Sequence, residues 1–233
     1  MEKTVERPSL LVLVRHAESV RNVAKKGNVY FADEEARKVI AGIPDQNVPI
    51  TEFGRQQALQ TGRYLRKKFG TPDYFYHSGY KRTVETMENI LKMFSEPERK
   101  KIKVRKNIFL REREPGYTYD MTRREVQKQF PWLERYWKTF GSFYSRPPGG
   151  ENLADVAQRV YAFLNMLFRD RAGQKIFVVT HGHALQCFRY LLEHLTEEEV
   201  PKIPVDNCGV TAYRYDKKGK RLVVKVANAV YWK

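Results

Sequence analysis

The chain has 233 residues, 42% of them hydrophobic, which suits one large α/β domain or two small ones and excludes a disordered polypeptide. Lys and Arg outnumber Asp and Glu by 43 to 27, a net charge of +16 that raises the question of anionic partners, but the basic residues are spread along the whole sequence and match no zinc-finger, basic-zipper or RNA-recognition pattern. A solvated basic surface is therefore expected rather than a nucleic-acid interface, and no membrane partner, because no run approaches the ~18 apolar residues that span a bilayer.

The first strand signal is Leu10 to Arg15, an apolar run delivering His16 to its end, with Asn22 six residues on. The stretch from Val23 to Pro49 is polar and loop-rich. Thr51 then caps a predicted helix in which Ala58, Leu65 and Phe69 recur at helical spacing, with Gly62 permitting close approach. A strand at 73–77 leads to Ser78 and to a second helix marked by Val84, Met87, Leu91 and Phe94. After a strand at 102–110 comes a second excursion, Glu114 to Gly149, dense in aromatic and basic residues. Asn152 caps the clearest helix, with Leu153, Val156, Ala157, Val160, Leu164 and Leu167 on one face. The run Ile176 to Thr180 ends on His181, Gly182 and His183, and strands at 209–215 and 221–227 read as an antiparallel hairpin.

Alternating strands and helices predict an α/β three-layer sandwich: a mainly parallel central sheet, helices on both faces and the C-terminal antiparallel hairpin at its edge. No linker or repeat divides the chain, so residues 1–233 are expected to form a single domain with a cap-like excursion at about 113–150. The charged start, Met1 to Pro8, does not read as an export signal. Cys187 and Cys208 make neither a disulfide scaffold nor a metal site, so a cytoplasmic location is expected.

In open α/β sheets ligands sit beyond the carboxyl ends of the strands, which makes His16, Ser78 and His181 candidate neighbours. Transfer of a phosphoryl group needs an in-line nucleophile, cationic groups for the equatorial oxygens and an acid for the leaving oxygen. His16 suits the nucleophile once one ring nitrogen is free and the other is fixed by a hydrogen bond. Arg15 and Arg82 suit a forked clamp on phosphate, His181 a fourth donor as charge builds, and Asn22 an uncharged donor. No carboxylate and histidine set has metal-ligand spacing, no Walker ending follows Gly149-Gly150-Glu151, and Ser19 and Ser78 lack the nucleophile-elbow pattern. No metal or other cofactor is expected. His183 reads as a polar residue on a first helical turn, and Trp132, Trp137 and Trp232 as packing residues.

Arg15-His16-Ala17-Glu18-Ser19 with Asn22 resembles the Arg-His-Gly-Glu-Ser/Thr and Asn signature of the histidine phosphatase superfamily, the phosphoglycerate-mutase-like family, with Ala17 in place of glycine. Pro49 to Gly54 with Gln57-Ala58, Ser78 to Arg82 with Thr86, Thr180-His181-Gly182 and Asn207 to Thr211 follow in the family's order, so the resemblance covers nearly the whole chain. It implies a phosphoglycerate-mutase-like fold and catalysis by His16, Arg15, Arg82 and His181, with phosphate contacts from Asn22 and Gly182. By the same resemblance Leu110 to Gly116 supplies the acid as Glu112, with Glu114 its near competitor. A raised carboxyl pKa would assist it. The stretch Phe140 to Glu151 is similar to the broad-specificity phosphatases of this family, and Arg113, Tyr117 and Arg146 are candidate substrate contacts.

The expected activity is that of a histidine acid phosphatase-type phosphoric monoester hydrolase, metal-independent, acting on a small phosphorylated metabolite through a phosphohistidine. The alternatives are a phosphoglycerate-mutase-type phosphotransferase and a non-catalytic phosphate-ligand binding protein.

Overall fold

The apolar run at Leu10–Arg15 becomes β1, whose side chains divide between two cores because successive strand residues point to opposite faces. Leu11 and Leu13 join Tyr74, Tyr76, Ile176, Val178 and Tyr213 in one core, while Leu10, Val12 and Val14 join Phe75, Phe177, Val179 and Ala212 in the other. A strand covered on both sides has no polar face, and this is why its sequence shows an unbroken apolar run instead of alternation.

The structure, a computed structural model, describes residues 7–232; residues 1–6 of the charged start lie outside it. The remaining strands are β2 (Tyr74–His77), β3 (Lys103–Lys106), β4 (Lys175–Thr180), β5 (Val210–Asp216) and β6 (Arg221–Ala229). The helices are α1 (Val20–Lys25), α2 (Glu34–Lys38), α3 (Glu52–Phe69), α4 (Lys81–Leu91), α5 (Glu96–Lys101), α6 (Arg123–Gln129), α7 (Leu133–Tyr144), α8 (Leu153–Asp170) and α9 (Gly182–Glu193). The sheet order is β3-β2-β4-β1-β5-β6. From β3 to β1 neighbours run parallel, whereas β5 is antiparallel to β1 and β6 to β5. Helices α3 and α4 contribute to the core on one face, and α8 and α9 to the core on the other. The result is the anticipated three-layer α/β sandwich.

Local chemistry accounts for the helix starts. Thr51 accepts from the Gly54 amide at 2.9 Å, and Asn152 from the Asp155 amide at 2.9 Å, with Asp155 bonding back to the Asn152 amide in a capping box. Gly62 lets α3 meet α4: a Cβ there would stand 2.8 Å from the Ile90 carbonyl oxygen. The strand expected over 102–110 stops at Lys106. Asn107 turns its side-chain oxygen onto the Phe109 amide at 2.9 Å and starts a 3-10 turn, Ile108–Leu110, that buries Leu110 and exposes Ile108. Among the described residues no helix is long and apolar enough to cross a membrane.

The two excursions meet beside the sheet. Phe31 pairs with Thr122 in an isolated bridge, its amide bonding to the Met121 carbonyl and its own carbonyl accepting from Arg123. Within the second excursion, residues 114–117 close against 147–151 through Tyr117 N to Pro148 O and Glu151 N to Glu114 O, both 2.9 Å. Gly116, at φ 61°, is required there, since a Cβ would fall 2.1 Å from the Pro148 carbonyl oxygen.

Candidate active site

Parallel pairing of β1 with β4 puts Arg15 opposite Thr180, so the next residue of each strand, His16 and His181, emerges at the same end of the sheet. Their rings lie 5.2 Å apart in an edge arrangement. The His16 Nδ1 is 2.7 Å from the Ala17 carbonyl oxygen, an atom that only accepts, so Nδ1 carries the proton and Nε2 holds a free lone pair. Burial, with Arg82 and Arg15 nearby, pushes the His16 pKa well below its ordinary value and keeps the ring neutral. Ala17 adopts no positive φ and is fully buried, its amide donating to Thr86 Oγ1 at 2.9 Å, so the Cβ in place of the signature glycine is accommodated.

His181 is fully buried, with Nε2 2.8 Å from Ser78 Oγ and Nδ1 without a partner. Thr83 Oγ1 donates to the Tyr80 carbonyl and Ser78 Oγ approaches Thr83 Oγ1 at 2.9 Å. With the Thr83 proton committed, Ser78 donates to Thr83 and accepts from His181 Nε2. Burial and Arg82 push the His181 pKa well down.

A cavity of about 380 Å³ opens over His16, lined among others by Arg15, Asn22, Arg82, Glu112 and Arg113; His181 and Gly182 lie behind this lining and are not part of it. Arg15 donates one terminal nitrogen to the Val205 carbonyl at 2.6 Å, while its buried Nε has no partner. Arg82, only 4% exposed, donates to the Asp45 carbonyl at 2.6 Å and to both carboxylate oxygens of Asp45 at 3.1 Å. The Asn22 amide oxygen accepts from the Ser19 amide and hydroxyl and from Asn207, which leaves its Nδ2 for the cavity. Gly182 packs between two of these groups: a Cβ there would be in ordinary contact, 3.8 Å from Arg15 Nε and 3.9 Å from Glu112 Oε2.

Glu112 reaches the cavity and Glu114 does not; the latter is exposed, its carboxylate on the Gly116 amide at 3.3 Å. Glu112 Oε1 accepts from the Arg113 amide at 2.8 Å and lies 3.2 Å from His183 Nδ1. Burial opposes its ionisation, but His183, His181 and the Arg113 amide together outweigh burial and hold the carboxyl well below the usual range. The raised pKa that would assist an acid is thus not built into the protein groups around Glu112. A phosphate dianion beside the carboxylate would supply the upward push.

Two expected substrate contacts are placed elsewhere. Arg146 pairs with Asp155 at 2.8 Å, and Tyr117 is 71% exposed with its ring over Gly149; neither lines the cavity. The amino end of α8 holds the acid-bearing segment. Glu151 pairs there with Arg111 and Arg159, and the buried Arg159 also donates to the carbonyls of Phe109, Arg111 and Glu112.

The residues 11–228 match the family description "Histidine phosphatase superfamily (branch 1)". The chain belongs to that superfamily. A relative in Arabidopsis thaliana, phosphoglycerate mutase-like protein AT74H, is 32% identical over 78% of this chain, which spans 64% of that protein's length. The 2,3-bisphosphoglycerate-dependent phosphoglycerate mutase 2 of Gloeobacter violaceus is 27% identical over 91% of this chain and 88% of its own. Among solved structures, the alpha-ribazole phosphatase of Shigella flexneri superposes with a TM-score of 0.73 at 22% identity, covering 94% of this chain and 96% of that one. A mycobacterial glucosyl-3-phosphoglycerate phosphatase in complex with inorganic phosphate gives 0.70 at 20% identity, covering 97% and 99%. At such identities the structural likeness is one of fold, and it agrees with the three-layer architecture. Relatives and neighbours thus include both mutases and phosphatases by name, and phosphoryl transfer through histidine is the chemistry that this superfamily membership supports.

Sequence reasoning missed the roles of three cavity residues and of one residue that braces the cavity. His183 stands on the first turn of α9 as expected, but it also lines the cavity and meets Glu112, a role the sequence does not show. Trp137, expected only to pack, lines the cavity wall. Asp45 braces both Arg82 and Arg21 from a loop whose position no local pattern encodes. Lys25 sits at the rim with burial and Arg21 pushing its ammonium down to about 7, its proton on the Val29 carbonyl. Among the described residues, no group of three or more His, Cys, Asp or Glu is arranged to hold a metal ion.

Proposed function

We propose that this chain is a metal-independent phosphomonoesterase for small phosphorylated metabolites, working in the cytoplasm through a phosphohistidine on His16. The observation that supports it best is the His16 tautomer: Nδ1–H held by the Ala17 carbonyl leaves a neutral ring with a nucleophilic Nε2, in a cavity lined by four arginines and one carboxyl group. In the first step Nε2 attacks phosphorus while the P–O bond to the leaving group breaks and Glu112 passes its proton to the departing oxygen. Arg15 and Arg82 balance the negative charge on the equatorial oxygens, with Asn22, Gly182 and His181 beside them. In the second step water attacks the phosphohistidine, the P–N bond breaks and the Glu112 carboxylate takes the water proton.

A phosphotransferase of the mutase type is the second reading, favoured by the names of the curated relatives. It needs the same His16 but shields the phosphohistidine from water until substrate has turned round. A panel of phosphorylated metabolites assayed in chelator, with wild type and His16→Ala, tests both. Steady release of inorganic phosphate that vanishes in the variant supports the phosphatase; slow release with rapid isomerisation of phosphoglycerate supports the mutase. Binding of phosphate without any turnover would return the protein to a non-catalytic binding role.

A further inference from the structure

A second chamber, about 670 Å³, adjoins the phosphate cavity and shares Asn28, Val29, Tyr30 and Trp137 with it. Its walls are Tyr30, Val126, Phe130, Leu133 and Trp137, contributed by the loop after α1 and by α6 and α7. The contrast in charge is sharp. The phosphate cavity gathers Arg15, Arg21, Lys25, Arg82 and Arg113, whereas the charged residues of the chamber are Arg123 and Glu134, opposite in sign and both exposed. This chamber is therefore no second anion site. Its volume lies in the range of pockets that bury organic ligands, and apolar walls favour apolar occupants by removing their surface from water.

Position points to the occupant. Glu112, Arg113 and Trp137 line the phosphate cavity together, the Arg113 guanidinium carbon 5.8 Å from the centre of the Trp137 ring, and an acid at Glu112 must face the leaving oxygen. Trp137 belongs to both spaces, so the wall that begins at Glu112 and Arg113 continues through Trp137 into the chamber. The Phe31 and Thr122 bridge pins the two excursions together and keeps the chamber walls in place.

We propose that the chamber is the leaving-group site, and that the preferred substrates are phosphomonoesters of apolar alcohols, alkyl or aryl, rather than of polyols or hydroxy acids. This rests on the phosphomonoesterase reading above and narrows its substrate class. Hexyl and ethyl phosphate, whose leaving alcohols are of matched acidity, test turnover; hexylphosphonate and ethylphosphonate, which cannot be hydrolysed, test binding by calorimetry. The expected result is kcat/KM at least tenfold higher for hexyl phosphate and Kd at least tenfold lower for hexylphosphonate. Phe130→Ala, or Val29→Asp on the exposed loop should the first variant fold poorly, lowers both ratios at least threefold. Equal affinity for the two phosphonates, or ratios that neither variant changes, would overturn the proposal even if both esters turn over. Absence of turnover for both esters with the affinity difference intact would instead remove the phosphomonoesterase reading and leave the chamber's apolar preference standing.

Discussion

His183 Nδ1 lies 3.2 Å from Glu112 Oε1, joining the first turn of α9 to the loop after β3 and giving the candidate acid an orienting partner. His183→Ala removes the interaction that most depresses the Glu112 carboxyl. The pH limb assigned to Glu112 in the kcat/KM profile then moves to higher pH. The rate falls about tenfold, a fraction of the ~10²–10⁴-fold that general acid catalysis supplies. A full pH profile of wild type and variant reads both effects, and an unmoved limb would detach His183 from the acid.

His181 offers a proton-uptake measurement. Its Nε2–H is committed to Ser78 and its Nδ1 is unpartnered, with the ring held neutral by burial and Arg82. An arriving dianion favours the protonated ring, so binding of sulfate, which does not itself titrate in this range, takes up protons at pH 6. Calorimetry in two buffers of different ionisation enthalpy measures the number bound, and a value of zero would refute the assignment.

The buried histidines also set how stability varies with pH. His16, His181 and His183 all have folded pKa values below the ordinary histidine value of 6.5, so between those values and 6.5 the unfolded chain binds more protons than the folded one. Stability is full above pH 6.5 and declines as the pH falls below it towards the lowered folded values; Glu112, also lowered, adds the same sign below 4.5. Urea midpoints at pH 7 and pH 5 are expected to differ, with the lower one at pH 5.

Asp45 fixes the fork of Arg82 through three hydrogen bonds. Asp45→Ala releases the guanidinium and costs about 10- to 100-fold in kcat/KM, because small misplacements of a clamp are expensive. Asp45→Asn keeps the carbonyl contact and one side-chain oxygen and recovers part of the loss. Steady-state kinetics of the two variants on one ester, with thermal melts to verify folding, check this.

Arg159 is the structural counterpart, 7% exposed and bonded to Glu151 and to three carbonyls of the acid-bearing segment. Arg159→Ala leaves Glu151 with Arg111 alone and the three carbonyls without their donor, and is expected to cost about 3 kcal/mol, at the upper end for stranding buried acceptors. Denaturant titration measures it.

Some of this was written locally along the chain. Apolar runs ending on Arg15-His16 and Thr180-His181 declare both the strands and what they deliver, since a strand buried on two faces needs continuous hydrophobicity and parallel strands present their ends on one side. Thr51 and Asn152 declared their helices because a cap is a contact over three residues. The roles of Asp45, His183 and Trp137 were beyond such reading. Asp45 meets Arg82 across 37 residues and Glu112 meets His183 across 71, and neither separation leaves a periodic trace in sequence. Tyr117 and Arg146 show the converse: their chemistry suits a substrate contact, but the closure of residues 114–117 on 147–151 directs them elsewhere. Hydrophobic periodicity and capping are short-range and specify elements, whereas the second chamber exists only because two distant excursions pack against each other once the sheet has formed.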